Sequence, residues 1–194
     1  MFGSTVYRLA PLLLFCVPIT VEPHRNVCGV RFRNVCSMSM AKELITASRT
    51  INASPDRVWH AVSDLSAMGR RSPQCRKMLV LGSGTPRPGT TTVNLNRRGV
   101  LFWPTWSKVT AWEPAKTLEF RIPINGSRWR YDLVDNGDGT TTVTESRIVQ
   151  GNTSAISRGL VAAFLGGNDT FEAELHRGIE QTLAGIAGDA EAAG

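Results

Sequence analysis

The chain is poor in the residues from which metal centres and disulfide frameworks are built, with four cysteines, three histidines and two tyrosines in 194 residues. Three of the cysteines, Cys16, Cys28 and Cys36, fall in the first forty residues, so the remainder holds Cys75 alone and can form no internal disulfide. No cysteine spacing shows the paired short intervals with nearby histidines that a zinc site requires, and His24, His60 and His176 are isolated. Neither a metal nor a cofactor is expected, and Cys75 reads as a small buried hydrophobe before it reads as a reactive thiol.

Long apolar runs are also missing. Residues 9–21, LAPLLLFCVPITV, contain two prolines and are too short to form a membrane-spanning helix. There is no block of five or six like charges, although the formal net charge is +6. Residues 1–40 carry four arginines and one glutamate, so the rest of the chain holds only half of that excess, a weak footprint for a nucleic-acid partner. The glycine-rich GSGTPRPG lacks the lysine and following helix of a phosphate-cradling loop, and its prolines forbid the helix of a dinucleotide fingerprint.

Residues 1–40 differ in kind from the remainder of the chain. One reading is an over-extended start, with Met38 or Met40 opening the folded chain; a second is a signal segment or membrane anchor built on residues 9–21; a third is a functional tail. The first is preferred, because RNVC occurs twice there to no structural purpose, no small-x-small cleavage site is present, and MAKELITASRTINASPDRVW opens at once on a strand and a helix. The expectation is therefore a disordered extension over 1–40 and one domain over 41–190. A cytoplasmic location goes with the first reading, an exported or anchored one with the second.

The body begins with a strand, ELITASRTINA, and a helix from SPDRVWHAVSDLSAMG. Ser54 is placed to cap that helix, Pro55 to occupy its first position and Asp56 to meet the positive end of its dipole. Val58, Val62 and Leu65 form one apolar stripe, and GRRSPQCRK with Pro73 is expected to end the helix. From residue 77 to about 150 come short strands separated by turns, with DNGDG as a tight hairpin loop. After Gly151 the pattern is helical, broken at Gly166-Gly167 and restarted by Asn168 or Asp169, with Phe171, Leu175, Ile179 and Leu183 at four-residue intervals. The fold class is thus α+β: an antiparallel meander, curved around a long C-terminal helix, with a short helix after the first strand.

Three of the five tryptophans lie in LFWPTWSKVTAW, residues 101–112, and a fourth is Trp129. Such a concentration suits an ordinary core, a stacking platform for nucleic acid, or the wall of a pocket for an apolar molecule. Alternation places Trp103, Thr105, Ser107, Val109 and Ala111 on one face, with Trp106, Lys108, Thr110 and Trp112 on the other. In RWRYDL it turns Trp129, Tyr131 and Leu133 inward and the charged residues outward. Thr105 and Ser107, with the co-facial Asn94 and Asn96, would bring polar groups into the interior, where they need partners such as water or a ligand. Apolar walls with a few placed polar atoms describe a small-molecule site. Glu145 in VTES is either a buried carboxylate able to act as a general base or a solvated strand residue, the commoner case. Arg97 and Arg98 in NRRG either end a strand in solvent or hold an anionic head group. Phe171 and Leu175 complete the candidate pocket from the helix.

ASPDRVWHAVSD, MGRRSPQC, NRRG, VTAWEP, RWRYDL and VTES, in this order from about residue 42 to the end, together resemble the polyketide cyclase/dehydrase and lipid-transport family of the START-like helix-grip (SRPBCC) superfamily. The resemblance implies about seven antiparallel strands gripping the last helix, with a cavity between them. It does not supply an activity, because members bind lipids, aromatic polyketides, hormones or quinones. Relatives often carry an aromatic where this chain has Arg70 and Arg71, which implies a more polar pocket mouth. The expected function is binding or carriage of a small apolar ligand. The first alternative is a cyclase or dehydrase moving protons with Tyr131, Glu145 or an asparagine; the second is nucleic-acid binding through Trp106, Trp112 and nearby bases. No nucleic acid and no stable membrane insertion of the domain are expected.

Overall fold

The computed structural model describes residues 44–149 and 168–192. The expectations for residues 1–40, for a helix immediately after Gly151 with its Gly166-Gly167 break, and for the side chain of Phe171 lie outside the described residues.

Strand β1, Leu44–Ile51, delivers Ile45 and Ile51 to the core. Helix α1, Pro55–Ser63, begins after Ser54, whose extended backbone accepts the first helical hydrogen bond from Val58 N–H at 3.0 Å. The Ser54 hydroxyl makes no capping bond, contrary to the sequence reading, so Pro55 and Asp56 serve this helix start without it. The helix also stops earlier than Pro73, at Ser63. Asp64 interrupts it and caps a 3-10 turn, Leu65–Ala67, by accepting from Ala67 N–H at 3.2 Å. A short helix α2, Met68–Arg71, completes the connection. Val58, Val62 and Leu65 are buried together, as their spacing requires.

Six further strands come next: β2 Cys75–Val80, β3 Thr91–Arg98, β4 Leu101–Glu113, β5 Thr117–Ile122, β6 Ser127–Asp135 and β7 Thr141–Val149. They form one seven-stranded antiparallel sheet in the order β1-β7-β6-β5-β4-β3-β2. The β6–β7 hairpin closes with Asn136 N–H donating to Thr140 C=O at 3.1 Å, and Gly137 and Gly139 take the positive φ values that its loop demands. Strand alternation predicts the inner and outer faces of β4 only as far as Val109. Between Val109 and Ala111 the register against β5 shifts by one residue, so that Trp112 pairs with the buried Leu118. This bulge turns Trp112 inward, against the expected outward placement, and sets it edge-on to Trp59 with ring centroids 5.3 Å apart.

Helix α3, Asn168–Ala192, spans 25 residues and packs against β1, α1 and α2. Leu175, Ile179, Leu183 and Ile186 are each at most 3% exposed; burial of side chains this size stabilises by about 1.5–3 kcal/mol apiece. Arg71, expected near a pocket mouth, is instead a buried clamp. Its guanidinium donates to Ala61 C=O and to Asp189 Oδ2, tying α1 to α3, while Arg70 reaches the same carboxylate from outside at 2.9 Å. A Cβ on Gly185 would come within 3.0 Å of the Arg71 side chain, so the helix carries a glycine where the clamp crosses it. Among the described residues no helix is long and apolar enough to cross a membrane.

Candidate functional site

Strands β6 and β7 bring one phenol and one carboxylate together by register alone. Tyr131 and Glu145 are directly opposed cross-strand partners on the inner face, where Cβ atoms stand about 4.5–5.5 Å apart. The Tyr131 hydroxyl donates to Glu145 Oε1 at 2.9 Å. Both residues are almost fully buried, at 1% and 2% exposure. Burial pushes the Glu145 carboxyl up to about 8, the Tyr131 bond pulling only weakly the other way, and burial likewise drives the Tyr131 phenol well above its ordinary range. Glu145 is therefore a neutral carboxylic acid at pH 7. Since Oε1 accepts from Tyr131, the acid proton belongs on Oε2, and Oε2 has no hydrogen-bond partner among the described residues. A buried polar atom left in this state requires water or a guest.

The pair lies on the wall of a cavity of about 80 Å³ between the sheet and α3. At roughly 10–15 Å³ for each water centre, that is space for a few waters or the end of a slender apolar chain. Phe120 and Ile122 from β5, Trp129 from β6, Met78 from β2 and Leu175 from α3 supply the apolar wall. Cys75 also reaches it; burial raises its thiol to about 11, so it stays neutral and serves as a small apolar surface rather than a nucleophile.

Of the residues singled out from sequence, Asn94, Asn96, Trp129, Tyr131, Glu145 and Leu175 line this cavity. Asn94 is already occupied: Thr92 Oγ1 donates to its Oδ1 at 2.8 Å, its Nδ2 donates to Ser107 Oγ at 3.2 Å, and the Thr92 and Ser107 hydroxyls lie 2.5 Å apart. Asn96 Nδ2 donates to Thr105 Oγ1 at 3.0 Å and to Trp103 C=O at 3.3 Å. Trp103, Thr105 and Ser107 thus stand one strand away from the cavity wall and orient the asparagines that reach it. The Phe171 side chain lies outside the described residues. Trp106 is 46% exposed on the outer face, in a cross-strand row with Leu79 and Val93.

The preference for a solvated Glu145 is overturned by its burial. Strand phase carried the signal, because Val143 and Glu145 share a face, but only the β6–β7 register shows that this face meets Tyr131. Sequence reasoning also missed Phe120 and Ile122, which flank the outward Arg121 in a clean alternation, and Gly178 and Thr182, which continue the Leu175 face of α3. Arg97 lies over the Phe102 ring at 5.3 Å, and Arg98 is bonded to Glu174 through two nitrogens, each at 2.6 Å. Among the described residues no group of three or more His, Cys, Asp or Glu side chains is placed to hold a metal ion.

A family model described as polyketide cyclase / dehydrase and lipid transport matches residues 42–191. No match is found among curated proteins. Among solved structures, the chain is similar to the Zhui aromatase/cyclase from Streptomyces sp. R1128, with a TM-score of 0.61 and 19% identity over 76% of this chain and 93% of that one. It is also similar to TTHA0849 from Thermus thermophilus, with a TM-score of 0.59 and 18% identity over 77% of this chain and 98% of the other. At these identities the likeness speaks to the fold.

Proposed function

From the premise that the chain belongs to the polyketide cyclase / dehydrase and lipid transport family, we propose that it holds a small, largely apolar molecule in the cavity between sheet and helix, with the neutral Glu145 as the polar anchor. The observation that carries this reading is Oε2 of Glu145, a hydrogen-bond donor at pH 7 with no protein acceptor among the described residues, on an otherwise mostly apolar wall. A carbonyl or hydroxyl oxygen on a guest would satisfy it. Octan-1-ol, slender and bearing one such oxygen, is a suitable probe. In ligand-observed NMR titrations Trp129→Ala, which strips one wall, should weaken its uptake roughly tenfold, or about 1.4 kcal/mol. Trp106→Ala, on the outer face, should leave uptake within about twofold of the parent. Equal effects of the two substitutions would end the proposal.

A second reading, proton-transfer catalysis, has its own support in the same group. A carboxylic acid whose pKa is raised to about 8 can pass its proton to a carbonyl oxygen while the carbonyl carbon is attacked, and the family description includes cyclases and dehydrases. On this reading, cyclisation of a linear poly-β-carbonyl chain should need Glu145 protonated, so the rate should fall as pH rises through about 8. Glu145→Gln should lose turnover and keep octan-1-ol binding. Turnover that survives in Glu145→Gln removes Glu145 as the proton donor, and a parent that shows no turnover leaves the protein as a carrier.

A further inference from the structure

Beside the apolar cavity lies a second, more open hollow of about 450 Å³, and the two share Gln74 and Gly178 as lining residues. Among the described residues its walls carry four arginines, Arg76, Arg97, Arg98 and Arg177, against one carboxylate, Glu174. From residue 41 onward the chain has eighteen cationic side chains and fifteen anionic ones, so a local excess of three matches the net excess of the whole body. Four arginines spread over residues 76–177 of the sequence are brought together here by the fold.

The arginines are positioned by specific features of the backbone. Arg76 is the extra residue of a bulge in β2: Cys75 pairs with Asn96 and Lys77 with Leu95, leaving Arg76 without a cross-strand partner. Bulges re-aim side chains in this way, often beside binding sites. The bulged backbone presses so closely on α2 that a Cβ at Gly69 would collide with Arg76 C=O, so only glycine fits there. Arg97 is steadied by the Phe102 ring and by its Nε, which donates to Gly99 C=O at 2.6 Å; its two terminal nitrogens make no protein hydrogen bond among the described residues. Glu174 is bonded in bidentate fashion to Arg98, and its carboxyl is held below the ordinary range first by that bond and further by the charges of Arg98 and Arg177. The one anion lining the hollow among the described residues is therefore already engaged, and the net charge of the remaining described walls is positive.

We infer that this hollow receives the oxyanion of an amphipathic ligand, a carboxylate or a phosphate, whose apolar part occupies the neighbouring cavity. Planar guanidinium groups suit both oxyanions, because each offers paired N–H donors to two oxygens at once. The inference rests on the cavity reading above and narrows its substrate class from apolar molecules to amphipathic anions.

Three probes with the same eight-carbon chain separate the possibilities: octan-1-ol, 8-hydroxyoctanoate and 8-hydroxyoctyl phosphate, the last two adding an oxyanion at the end opposite the hydroxyl that meets Glu145, titrated against the full chain at low ionic strength by ligand-observed NMR. An oxyanion probe should bind roughly tenfold more tightly than octan-1-ol, and the advantage should shrink as salt rises. A stronger preference for 8-hydroxyoctyl phosphate assigns the hollow to phosphate, and a stronger preference for 8-hydroxyoctanoate assigns it to carboxylate. Arg97→Gln combined with Arg177→Gln should abolish the advantage and leave octan-1-ol binding unchanged, which also reports that the variant is folded. If octan-1-ol binds and the oxyanions gain nothing, or their gain survives the double substitution, the inference is overturned and the cavity reading stands. If none of the three binds, the cavity reading fails and the inference fails with it.

Discussion

The concave face of the sheet buries two polar clusters, and they are built on opposite rules. In β3 and β4, Thr92, Asn94 and Ser107 bond to one another in a closed ring of short contacts. In β6 and β7, Tyr131 and Glu145 make one bond and leave Oε2 without a partner among the described residues. Both clusters sit on adjacent-strand pairs, both are almost completely shielded from water, and both reach the same cavity. The difference teaches what separates a structural polar cluster from one available to a guest. A satisfied network fixes the local packing and has nothing left to offer, whereas an incomplete one carries an unspent hydrogen-bonding capacity that a ligand can meet.

The sharpest way to break this comparison is pH. The raised pKa of Glu145 means that the folded protein keeps a proton which the unfolded chain releases near its ordinary value of 4.5. Below that value both states are protonated and the full stability is present; as pH rises toward about 8 the unfolded chain gains and the fold loses ground, by a few kcal/mol at most. Urea denaturation should therefore show the parent losing stability between pH 5 and pH 8, with Glu145→Gln nearly flat across the same window. A parent that is itself flat would show that Glu145 is charged and solvated after all. The smaller effect belongs to the closed ring. Ser107→Ala removes one member and leaves the buried Asn94 Nδ2 without its partner, at a cost of about 1–3 kcal/mol. That cost should be the same at pH 5 and pH 8, with octan-1-ol binding unaltered. A substitution there that changed binding instead would erase the distinction between the clusters.

How far the sequence foretold this arrangement depends on what strand alternation can and cannot encode. Alternation is local and has period two, so it correctly turned Trp129 and Tyr131 inward on the regular strand β6. It failed at Trp112, because the shift between Val109 and Ala111 inserts a residue and inverts the phase, and no turn residue in that stretch announces a bulge. It could group Asn94 with Asn96 but could not orient them, since that needs a neighbouring strand of known facing. Glu145 was misjudged for the same reason: its burial depends on which residues lie opposite, a property of register and not of composition. The order of elements and the helix grip were legible from helix-start signals, turn chemistry and the spacing of Leu175, Ile179 and Leu183. Arg71 was not, because a buried guanidinium is viable only through Ala61 C=O and Asp189, which are contributed by two different helices.

Pairing of Leu44–Ile51 with Thr141–Val149 makes the first strand among the described residues wait for the last. Thr50 meets Thr142, 92 residues downstream, and at translation rates of roughly 5–20 residues per second that partner leaves the ribosome some 5–20 seconds later. Throughout that interval Ile45 and Ile51 have no sheet to join, and the nascent chain must hold them out of premature association. Pairing of β1 into the sheet is thereby deferred until the residues of β7 have been made, and contacts so distant in sequence slow folding.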